Sequence, residues 1–551
     1  MNSMVADRWI TDWEPSPKFP VYTRANAGEV LPDPASPLAW SLVWEPGVVL
    51  GWGDSLTVAG TMDRTEFDQV RPEVVGTFGG YLYINGSMAR MFGVRAPGLT
   101  AEMIDYVYFG EHPDVPPYVA EPWHDSPAAS ERLATWMGGV MVAAELPGLL
   151  LADQANANAA RASRPDLGTL TDGELVARAR SFTPLVRQLF CRHLEVTAGS
   201  SVGPGVLGAI AEAMGDPGMA LTLITGIGDV DSALPSHAMW ALSRLPADSA
   251  EFAAGFADFV RNYGSRGPNE WDIRSEVWET KPALALALIE AMRPAADSES
   301  PAARNDKNVV IRHQLEASIR AALADQPETL ATFEAGLHSA HVYLAGRERA
   351  KTNIIKVLHE IRMAVRELGA RHGYTPSQIC MLLDDELDAF ANDPDEFRAR
   401  LTDREAQFLD LYQLEPPFII NGTVKPLSQW TRKGGEHAAA AVVGDVLTGV
   451  PGSPGQATGR ARVILDPGDP TGLEPGDVLI APITDPAWTP LFVPAAAVVV
   501  NVGAQVSHAV IVSRELGIPC VVSVQNATER IPDGALVTVD GSTGTVTIIE
   551  G

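Results

Sequence analysis

One histidine lies between small residues and an apolar run in the stretch NVGAQVSHAVIVSRELGIPCVV, residues 501–522. The β-branched run at 498–500 predicts a buried strand, Gly503 permits a turn, and a helix is predicted from His508 to Leu516. A helix N-terminus offers unpaired N–H groups and the positive end of the dipole, which suit a phosphate and keep imidazole neutral and nucleophilic. His508 is therefore a candidate phosphoryl carrier. The alternatives are a packing histidine and a metal ligand, although no second ligand lies nearby.

A basic segment at 345–366 supplies a second group of candidates. Arg347 and Lys351 are spaced four residues apart and share one helix face. Phosphoryl transfer needs cations against the charge that spreads over the equatorial oxygens. We therefore predict that Arg347 and Lys351 are catalytic and bind substrate. The alternative is a solvated helix face, on which the basic residues pair with neighbouring carboxylates: Glu348, Glu360 and Glu367.

Two histidines precede this segment at a spacing of three residues. His338 or His341 could take the proton of an acceptor hydroxyl, and we predict that both line the substrate site. The alternative is that they are ordinary packing or surface residues. The acidic run DDELD at 384–388 offers clustered carboxylates, but acidic residues in the first turn of a helix explain it better. No metal site is predicted.

The elements that must position these residues fall into three regions. Residues 1–125 are rich in Pro, Gly and Trp and contain short β-like runs, at 48–53, 56–60 and 80–86. Residues 126–445 carry long segments with the 3.6-residue period of helices. Residues 446–551 alternate short Val and Ile runs with turns around one helix, which predicts a compact β/α domain. The predicted fold class is multidomain α+β, with a mixed N-terminal region, a large mainly helical domain and a C-terminal β/α domain.

Two segments are predicted to lack regular structure. The polar stretch at 293–307 is predicted to be a loop within the helical region, because its composition gives no apolar periodicity. Residues 423–450 are predicted to be a linker to the C-terminal domain.

The charge of the chain excludes one class of function. Lys and Arg number 41 and Asp and Glu number 69 in 551 residues, which gives a net charge of −28. A nucleic-acid binder needs a basic face, so no nucleic acid is expected as a partner. The sequence contains no stretch of about 18 apolar residues, and no membrane span is expected. Three dispersed cysteines and the lack of a signal-peptide pattern indicate a cytoplasmic protein.

The histidine stretch resembles the swivelling phosphohistidine domain of phosphoenolpyruvate-utilising enzymes. Gly503, Ser507, His508 and Arg514 match the usual pattern, whereas Ala504 replaces a second glycine. The segment GSPGQATGRARVI at 452–464 also matches. The resemblance implies that His508 carries a phosphoryl group beside Ser507. It further implies a swivel loop formed by Gly503, Asp485, Trp488 and Arg514, with Thr484 or Asp485 bonding the ring.

The segment GDVLIAPITDPAWTPLF at 476–492 is similar to a narrower group, rifampin phosphotransferase and the phenylphosphate synthase subunits. Segments of the first two regions resemble the substrate-binding domain of the former: 22–41, 223–245, 345–373 and 380–390. This family has an ATP-grasp domain in addition, which we do not find in residues 1–551. There is no GxxxxGK[ST] pattern, and GIGDVDS at 226–232 matches only half of a GxGxxG fingerprint.

The resemblance implies an ATP-dependent phosphotransferase of divided construction. ATP would give its β-phosphoryl group to His508 on a separate ATP-grasp subunit, which would hold both ATP and Mg²⁺. The acceptor would be the hydroxyl of a small apolar alcohol or phenol. One alternative is a phosphoenolpyruvate synthase-like carrier that acts on a pyruvate-like acid. Another is a non-catalytic protein that binds a hydrophobic ligand and retains a relic swivel domain.

Overall fold

The computed structural model describes residues 7–109, 114–228, 230–433, 438–467, 473–484, 488–503 and 507–551. It confirms the predicted fold class, multidomain α+β, because helices and two separate sheets are present in the described residues. Helices dominate the described residues of the range 86–411, whereas the periodicity predicts them over 126–445. Their bounds are Gly86–Arg95, Ala101–Phe109, Pro127–Val142, Leu146–Ala162, Asp172–Ser181, Thr183–Gly199, Val202–Ala213, Met219–Leu223, Leu234–Ser243, Ala250–Tyr263, Pro282–Met292, Pro301–Ala322, Pro327–Arg371, Pro376–Ile379, Leu387–Asn392 and Arg398–Leu411.

A four-stranded antiparallel sheet joins the N-terminal region to the end of the helical region within the described ranges. Its strands are β1 (Val21–Thr23), β2 (Val75–Phe78), β3 (Tyr81–Asn85) and β4 (Ile419–Asn421), in the order β2-β3-β1-β4. The predicted strand at 80–86 is thus confirmed. Trp9 and Trp430 belong to the same hydrophobic core. The described residues of the range 7–125 therefore share a core with the helical region.

The predicted strands at 48–53 and 56–60 are wrong. Residues Ala39–Val49 form a π-helix, and Leu50–Val58 continue it as an α-helix. A Cβ atom on Gly51 would lie 2.5 Å from the carbonyl oxygen of Arg187 in the adjacent helix. The apolar run is buried against that helix, and a short buried run does not reveal from its periodicity whether it is strand or helix.

The predicted loop at 293–307 is wrong in its second half. The helix Pro301–Ala322 begins within it, and the Ser300 side chain accepts a hydrogen bond from the Ala303 N–H at 3.2 Å. Ser before Pro is a good start for a helix, since Ser caps the first turn and Pro suits its first position. The polar composition therefore marks an exposed helix face.

The longest helix, Pro327–Arg371, contains 45 residues and positions the predicted basic pair. It packs most extensively against the helices Leu146–Ala162, Thr183–Gly199 and Val202–Ala213 of the same region. Its second half is buried almost all round, since Ile354, Leu358 and Ile361 are inaccessible to solvent. A helix surrounded in this way is apolar on several faces, so its polar side chains mark places with a specific partner.

A mixed sheet of eight strands forms the C-terminal region of the described chain, in the order β5-β12-β11-β7-β8-β9-β10-β6. Strands β7 to β10 are parallel to one another, and the outer pairs are antiparallel. The predicted linker at 423–450 already contains β5. The strands are β5 (Val446–Thr448), β6 (Val450–Ser453), β7 (Gln456–Val463), β8 (Val478–Ala481), β9 (Ala497–Val500), β10 (Cys520–Val522), β11 (Leu536–Asp540) and β12 (Thr545–Glu550).

The helix His508–Leu516, named here the histidine helix, connects the parallel strands β9 and β10. Gly517 ends it in the left-handed conformation with φ 64°, as the sequence predicts for a C-terminal glycine. The remaining α-helices of this region are Thr489–Phe492 and Ala527–Arg530. Because β9 leads into the histidine helix, the start of that helix lies at the carboxyl edge of the parallel strands.

No single helix of the described residues is long and apolar enough to cross a membrane. The helices Pro127–Val142 and Leu146–Ala162 are long and apolar enough only when taken together, and the chain bends by 83° between them.

Candidate active site around His508

The ring of His508 lies between two threonine hydroxyls. Thr489 Oγ1 is 3.0 Å from Nε2, and Thr484 Oγ1 is 3.2 Å from Nδ1. Thr484 follows β8, which runs parallel to β9, so the carboxyl ends of two neighbouring strands bring it to the histidine. A neutral ring has one donor and one acceptor nitrogen, so one threonine accepts and the other donates. Because a hydroxyl can either donate or accept, this clamp fixes the orientation of the ring and suits either tautomer.

The His508 ring is neutral near pH 7. Burial is the main cause that lowers its pKa well below 6.5, and the charges of Lys351, Arg266 and Arg347 lower it further. From the sequence, a neutral ring is expected because His508 lies at a helix N-terminus. The structure adds three cations from the helical region, which faces the histidine helix. A neutral imidazole beside cations is a nucleophile placed where negative charge is favoured.

The predicted basic pair lies near His508. The side chains of Arg347 and Lys351 are only 13% and 18% exposed, which excludes the solvated helix face. Lys351 Nζ lies 3.7 Å from Glu270 Oε1, and Arg347 Nε lies 3.6 Å from Glu348 Oε1. The pair therefore stands in a buried ionic cluster whose charge acts on the histidine ring.

Sequence reasoning missed Arg266, the third cation of the cluster. Its side chain is 3% exposed, Nε donates to Glu270 Oε2 at 2.8 Å and Nη1 donates to Thr352 Oγ1 at 2.9 Å. Its Nη2 atom is buried without a hydrogen-bond partner among the described residues. Arg266 lies in a turn after the helix Ala250–Tyr263, where no periodicity marks it. The feature of the sequence that could have indicated Arg266 is its position in a segment that contains Gly and Ser, at 262–267.

Two further buried groups complete the cluster. Burial raises the pKa of Glu348, but Arg347, Lys351 and Arg266 reverse that effect and lower it overall, so Glu348 is ionised. Burial, with the charges of Arg347 and Lys351, lowers the pKa of His193 to about 3. His193 is therefore neutral, and it adds no charge to a region that already holds three cations.

Ser507 precedes the helix, and its side chain does not cap it. Its Oγ atom is buried and has no hydrogen-bond partner in the described ranges. A Cβ atom on Gly503 would lie 2.9 Å from Val522 Cβ and 3.2 Å from Ser507 Oγ, so the loop needs glycine for close packing. A buried hydroxyl without a partner is costly.

The other predicted swivel-loop residues have structural contacts. Trp488 is buried in the core beside the short helix Thr489–Phe492, whose Phe492 ring meets the His508 ring edge-on at 6.1 Å between centroids. Arg514 Nε donates to the carbonyl oxygen of Gly452 at 3.0 Å. Burial lowers the pKa of Arg514 to about 10. The predicted Asp485 lies outside the described residues.

The structure does not bring the other two predicted histidines to the ring of His508. His338 is exposed, and His341 Nε2 donates to the carbonyl oxygen of Leu223 at 2.9 Å. The acidic run at 384–388 lies at the start of a helix, as the sequence predicts. Arg180 contacts both Asp384 and Asp388 at 2.8 Å. In the part of the chain that the structure describes, no group of three His, Cys, Asp or Glu side chains is placed to hold a metal ion.

Two family models match the chain at the regions that meet here. Residues 473–544 match the PEP-utilising enzyme mobile domain. Residues 192–348 match the rifampicin phosphotransferase fourth domain. The first match contains His508 and both threonines, and the second contains Arg266, Glu270 and Arg347. The resemblance stated from the sequence is thus confirmed in both regions.

Curated relatives extend the match. An uncharacterised protein of Mycobacterium tuberculosis is 31% identical over 318 residues, covering 56% of this chain and 33% of its own length. A rifampicin phosphotransferase of Streptomyces sviceus is 29% identical over 334 residues, covering 56% and 36%. A phosphoenolpyruvate synthase of Aeropyrum pernix is 44% identical over 144 residues, covering 24% and 18%. The chain therefore spans about a third of the length of the first curated relatives it matches.

Proposed function

We propose that this chain is the acceptor-binding and phosphohistidine part of an ATP-dependent dikinase-type phosphotransferase. His508 receives the β-phosphoryl group of ATP from a separate ATP-grasp subunit. It then passes the group to the hydroxyl of a small alcohol or phenol bound by the helical region. The rifampicin phosphotransferase match in this helical region supports an acceptor hydroxyl as the destination.

One observation carries the proposal, the approach of the neutral His508 ring to Lys351, Arg266 and Arg347. Three cations from another region do not stabilise a histidine that only packs in a core. They destabilise its protonated form and contribute little to the stability of its neutral form. A phosphorylated ring carries two negative charges near neutral pH, and the same cations then stabilise it and the charge that develops during transfer. We call the arrangement in which the His508 ring lies near these cations the docked state. It is suited to transfer from His508 to the acceptor, which is the second half-reaction.

Transfer of the phosphoryl group from His508 to the acceptor involves no change of oxidation state. The acceptor oxygen attacks phosphorus, the N–P bond to His508 breaks, and an O–P bond forms. The electron pair of the N–P bond returns to the ring nitrogen, and the hydroxyl proton of the acceptor restores the neutral imidazole. Arg347 and Lys351 neutralise the phosphoryl oxygens, and the threonine hydroxyl at the ring nitrogen that carries no phosphoryl group keeps the ring in line.

We assign ATP and Mg²⁺ to the ATP-grasp subunit. Nucleotide phosphates need a Gly-rich cradle and carboxylate-held Mg²⁺, and residues 1–551 contain no GxxxxGK[ST] pattern. When bound there, Mg²⁺ would neutralise the ATP phosphates during the first half-reaction. His508 must leave its docked position to reach that station.

The decisive experiment follows phosphate from ATP. The purified chain is incubated with β-³²P-labelled ATP and Mg²⁺, with and without an ATP-grasp protein encoded beside it. We expect label on the chain only with the partner, in an acid-labile and base-stable bond, with AMP as the product. His508→Ala should carry no label, whereas the neighbouring Ser513→Ala, also within the histidine helix, should be labelled.

Two outcomes would contradict the proposal. Labelling of His508→Ala to the level of the unmodified chain would exclude the phosphohistidine. Conversion of ATP to AMP by the chain without a partner would show that residues 1–551 contain a nucleotide site.

The phosphoenolpyruvate synthase relative supports a second candidate function, in which the acceptor is a pyruvate-like acid. The 44% identity over 144 residues is the highest among the relatives described here. The two candidates differ in the second half-reaction. Discharge of labelled His508 by pyruvate, with no discharge by phenols or alcohols, would favour the second candidate.

A further inference from the structure

A cavity of about 870 Å³ opens beside the cluster that contains Arg266. The helix Leu146–Ala162, the helix Ala250–Tyr263 and the long helix Pro327–Arg371 form its walls. The lining includes Arg266, one of the cations that act on His508, and Thr352, which accepts a hydrogen bond from Arg266. The volume is sufficient for a small organic acceptor.

The cavity is rich in cations. Among its described lining residues six are basic and two are acidic, namely Arg161, Arg164, Arg261, Arg266, Arg349 and Lys356 against Asp231 and Glu279. Several of the arginines are neutralised by carboxylates. Arg161 and Arg164 both contact Glu279 at 2.6 Å, and Arg349 lies 3.3 Å from Asp231. These pairs build a rigid polar wall, since each carboxylate holds its arginine in place.

Lys356 differs from those arginines. Its Nζ atom donates to the neutral amide oxygen Asn158 Oδ1 at 2.9 Å. Burial lowers the pKa of the Lys356 ammonium, which means that the site gives this charge less stabilisation than water does. Arg161 and Arg266, by contrast, are paired with Glu279 and Glu270 at 2.6 Å and 2.8 Å. Lys356 is thus the lining cation for which a bound anion is the natural partner.

From this arrangement we infer that the acceptor is a hydroxyl compound that also carries a carboxylate or phosphate group. The anionic group binds Lys356 and its neighbours in the cavity. The hydroxyl points past Arg266 towards the phosphoryl group on His508. This inference rests on the proposed function, which it narrows, and it departs from the apolar acceptor expected from the sequence.

A second cavity, of about 600 Å³, offers a contrasting environment. Its lining is largely apolar and includes Trp136, Val140, Leu146 and Leu149, with Arg192 and Glu195 as a charged pair. An apolar acceptor would be better suited to this cavity. The cations with the largest effects on His508 are instead Lys351, Arg266 and Arg347, and Arg266 belongs to the polar cavity. The polar cavity therefore contains one of the cations that act on the histidine.

Equilibrium binding tests the inference without any phosphoryl transfer. Isothermal titration calorimetry of the whole chain compares 4-hydroxybenzoate with 4-hydroxybenzamide, which has nearly the same shape without the charge. A second pair is 4-hydroxyphenyl phosphate and phenol. We expect each anion to bind at least about tenfold more tightly than its neutral counterpart, the size of effect that one charge-assisted hydrogen bond gives.

Variants of one lysine locate the site. Lys356→Met should remove most of the preference for the anions, and Lys356→Arg should retain a large part of it. Lys425→Met, at an exposed lysine, should leave both affinities unchanged. A thermal melt of each variant separates loss of binding from loss of folding. Trp136→Ala in the second cavity should not alter the preference.

The outcomes separate this inference from the proposed function. Equal affinities for both members of each pair would overturn the inference. So would a preference for the anions that survives in folded Lys356→Met. Tight, Lys356-dependent binding in a chain whose His508 never becomes phosphorylated would support the inference and contradict the proposed function. Phosphorylation of phenol without any preference for 4-hydroxyphenyl phosphate would support the proposed function and contradict the inference.

Discussion

The side-chain amide of Asn308 donates to the carbonyl oxygen of Arg514 at 3.1 Å, and it also donates to that of Glu515 at 3.0 Å. Asn308 belongs to the helix Pro301–Ala322, so this contact ties the helical region to the C-terminal end of the histidine helix. The Glu515 carboxylate adds to it, because it accepts hydrogen bonds from the backbone of Gly226 and Ile227. These contacts hold the histidine helix against the helical region.

We expect Asn308→Ala to weaken docking of the C-terminal region. The substitution leaves two terminal carbonyl groups of the histidine helix without their partner, at a cost of about 1–3 kcal/mol. Faster amide hydrogen exchange in the histidine helix and a larger radius of gyration in X-ray scattering would report the change. The matched control is Asn392→Ala, since Asn392 donates to the Asp388 carbonyl within its own exposed helix. Identical exchange in Asn308→Ala and the unmodified chain would contradict the role of this contact.

The pKa of His508 reports on docking in solution. In the docked state burial and three cations keep it well below 6.5, whereas a solvated histidine titrates near 6.5. The imidazolium form is therefore disfavoured in the docked state. The contribution of His508 to docking is present above pH 6.5 and is lost as the pH falls below that value. Glu515, whose pKa burial raises to about 7, acts in the opposite direction, so the titration of His508 itself must be measured.

Lys351→Met should raise the pKa of His508, because it removes a positive charge that repels the imidazolium. Proton NMR of the His508 ring as a function of pH gives the value directly, with His508→Ala to assign the resonance. Lys425→Met should not change it. A His508 pKa near 6.5 in the unmodified chain would mean that the docked state is a minor species in solution.

Arg347→Met and Lys351→Met should slow transfer from phosphorylated His508 to the acceptor. Each removes one preorganised cation, and the loss should approach about 2–4 kcal/mol in the transition state. Loading of His508 by the ATP-grasp subunit should be largely spared, because it takes place away from the helical region. Single-turnover kinetics of the two half-reactions separates these effects. Equal slowing of both half-reactions would show that the variants act through folding.

Removal of the threonine clamp should reduce nucleophilic reactivity without abolishing it. Thr484→Val and Thr489→Val keep the shape of each side chain but remove the hydroxyl that holds a ring nitrogen. Each hydrogen bond contributes about 0.5–1.5 kcal/mol, so a loss of about two- to tenfold in the rate of His508 loading is expected. Thr458→Val, at an exposed strand position, is the control. An unchanged loading rate in the double variant would contradict the role of the clamp.

Gly51→Ala and Gly138→Ala should change stability in opposite directions. An alanine Cβ at residue 51 would lie 2.5 Å from the Arg187 carbonyl oxygen, so overpacking should cost about 1–3 kcal/mol of unfolding free energy. Gly138 lies on the exposed face of a helix with no atom within 4 Å of an added Cβ, and alanine there should add about 0.5–1 kcal/mol. Chemical denaturation measures both. Equal stability of the two variants would contradict the close helix packing at Gly51.

Local signals in the sequence were sufficient for the immediate surroundings of His508. The β-branched run of β9, the helix from His508 to Leu516 and the terminal Gly517 were each predicted because strands, helix starts and helix ends depend on neighbouring residues. The four-residue spacing of Arg347 and Lys351 likewise placed both on one face of a helix. These features do not require knowledge of the rest of the fold.

Only the tertiary structure decided which residues meet. Arg266 and Thr489 reach the site from a turn and a short helix that have no periodic signal, and their approach depends on how separate regions pack. The segment around Gly51 became helical because a neighbouring helix buries it, and the docking of Asn308 on the histidine helix is likewise a long-range contact. A local sequence encodes propensity, whereas long-range contacts select among the conformations that this propensity leaves open.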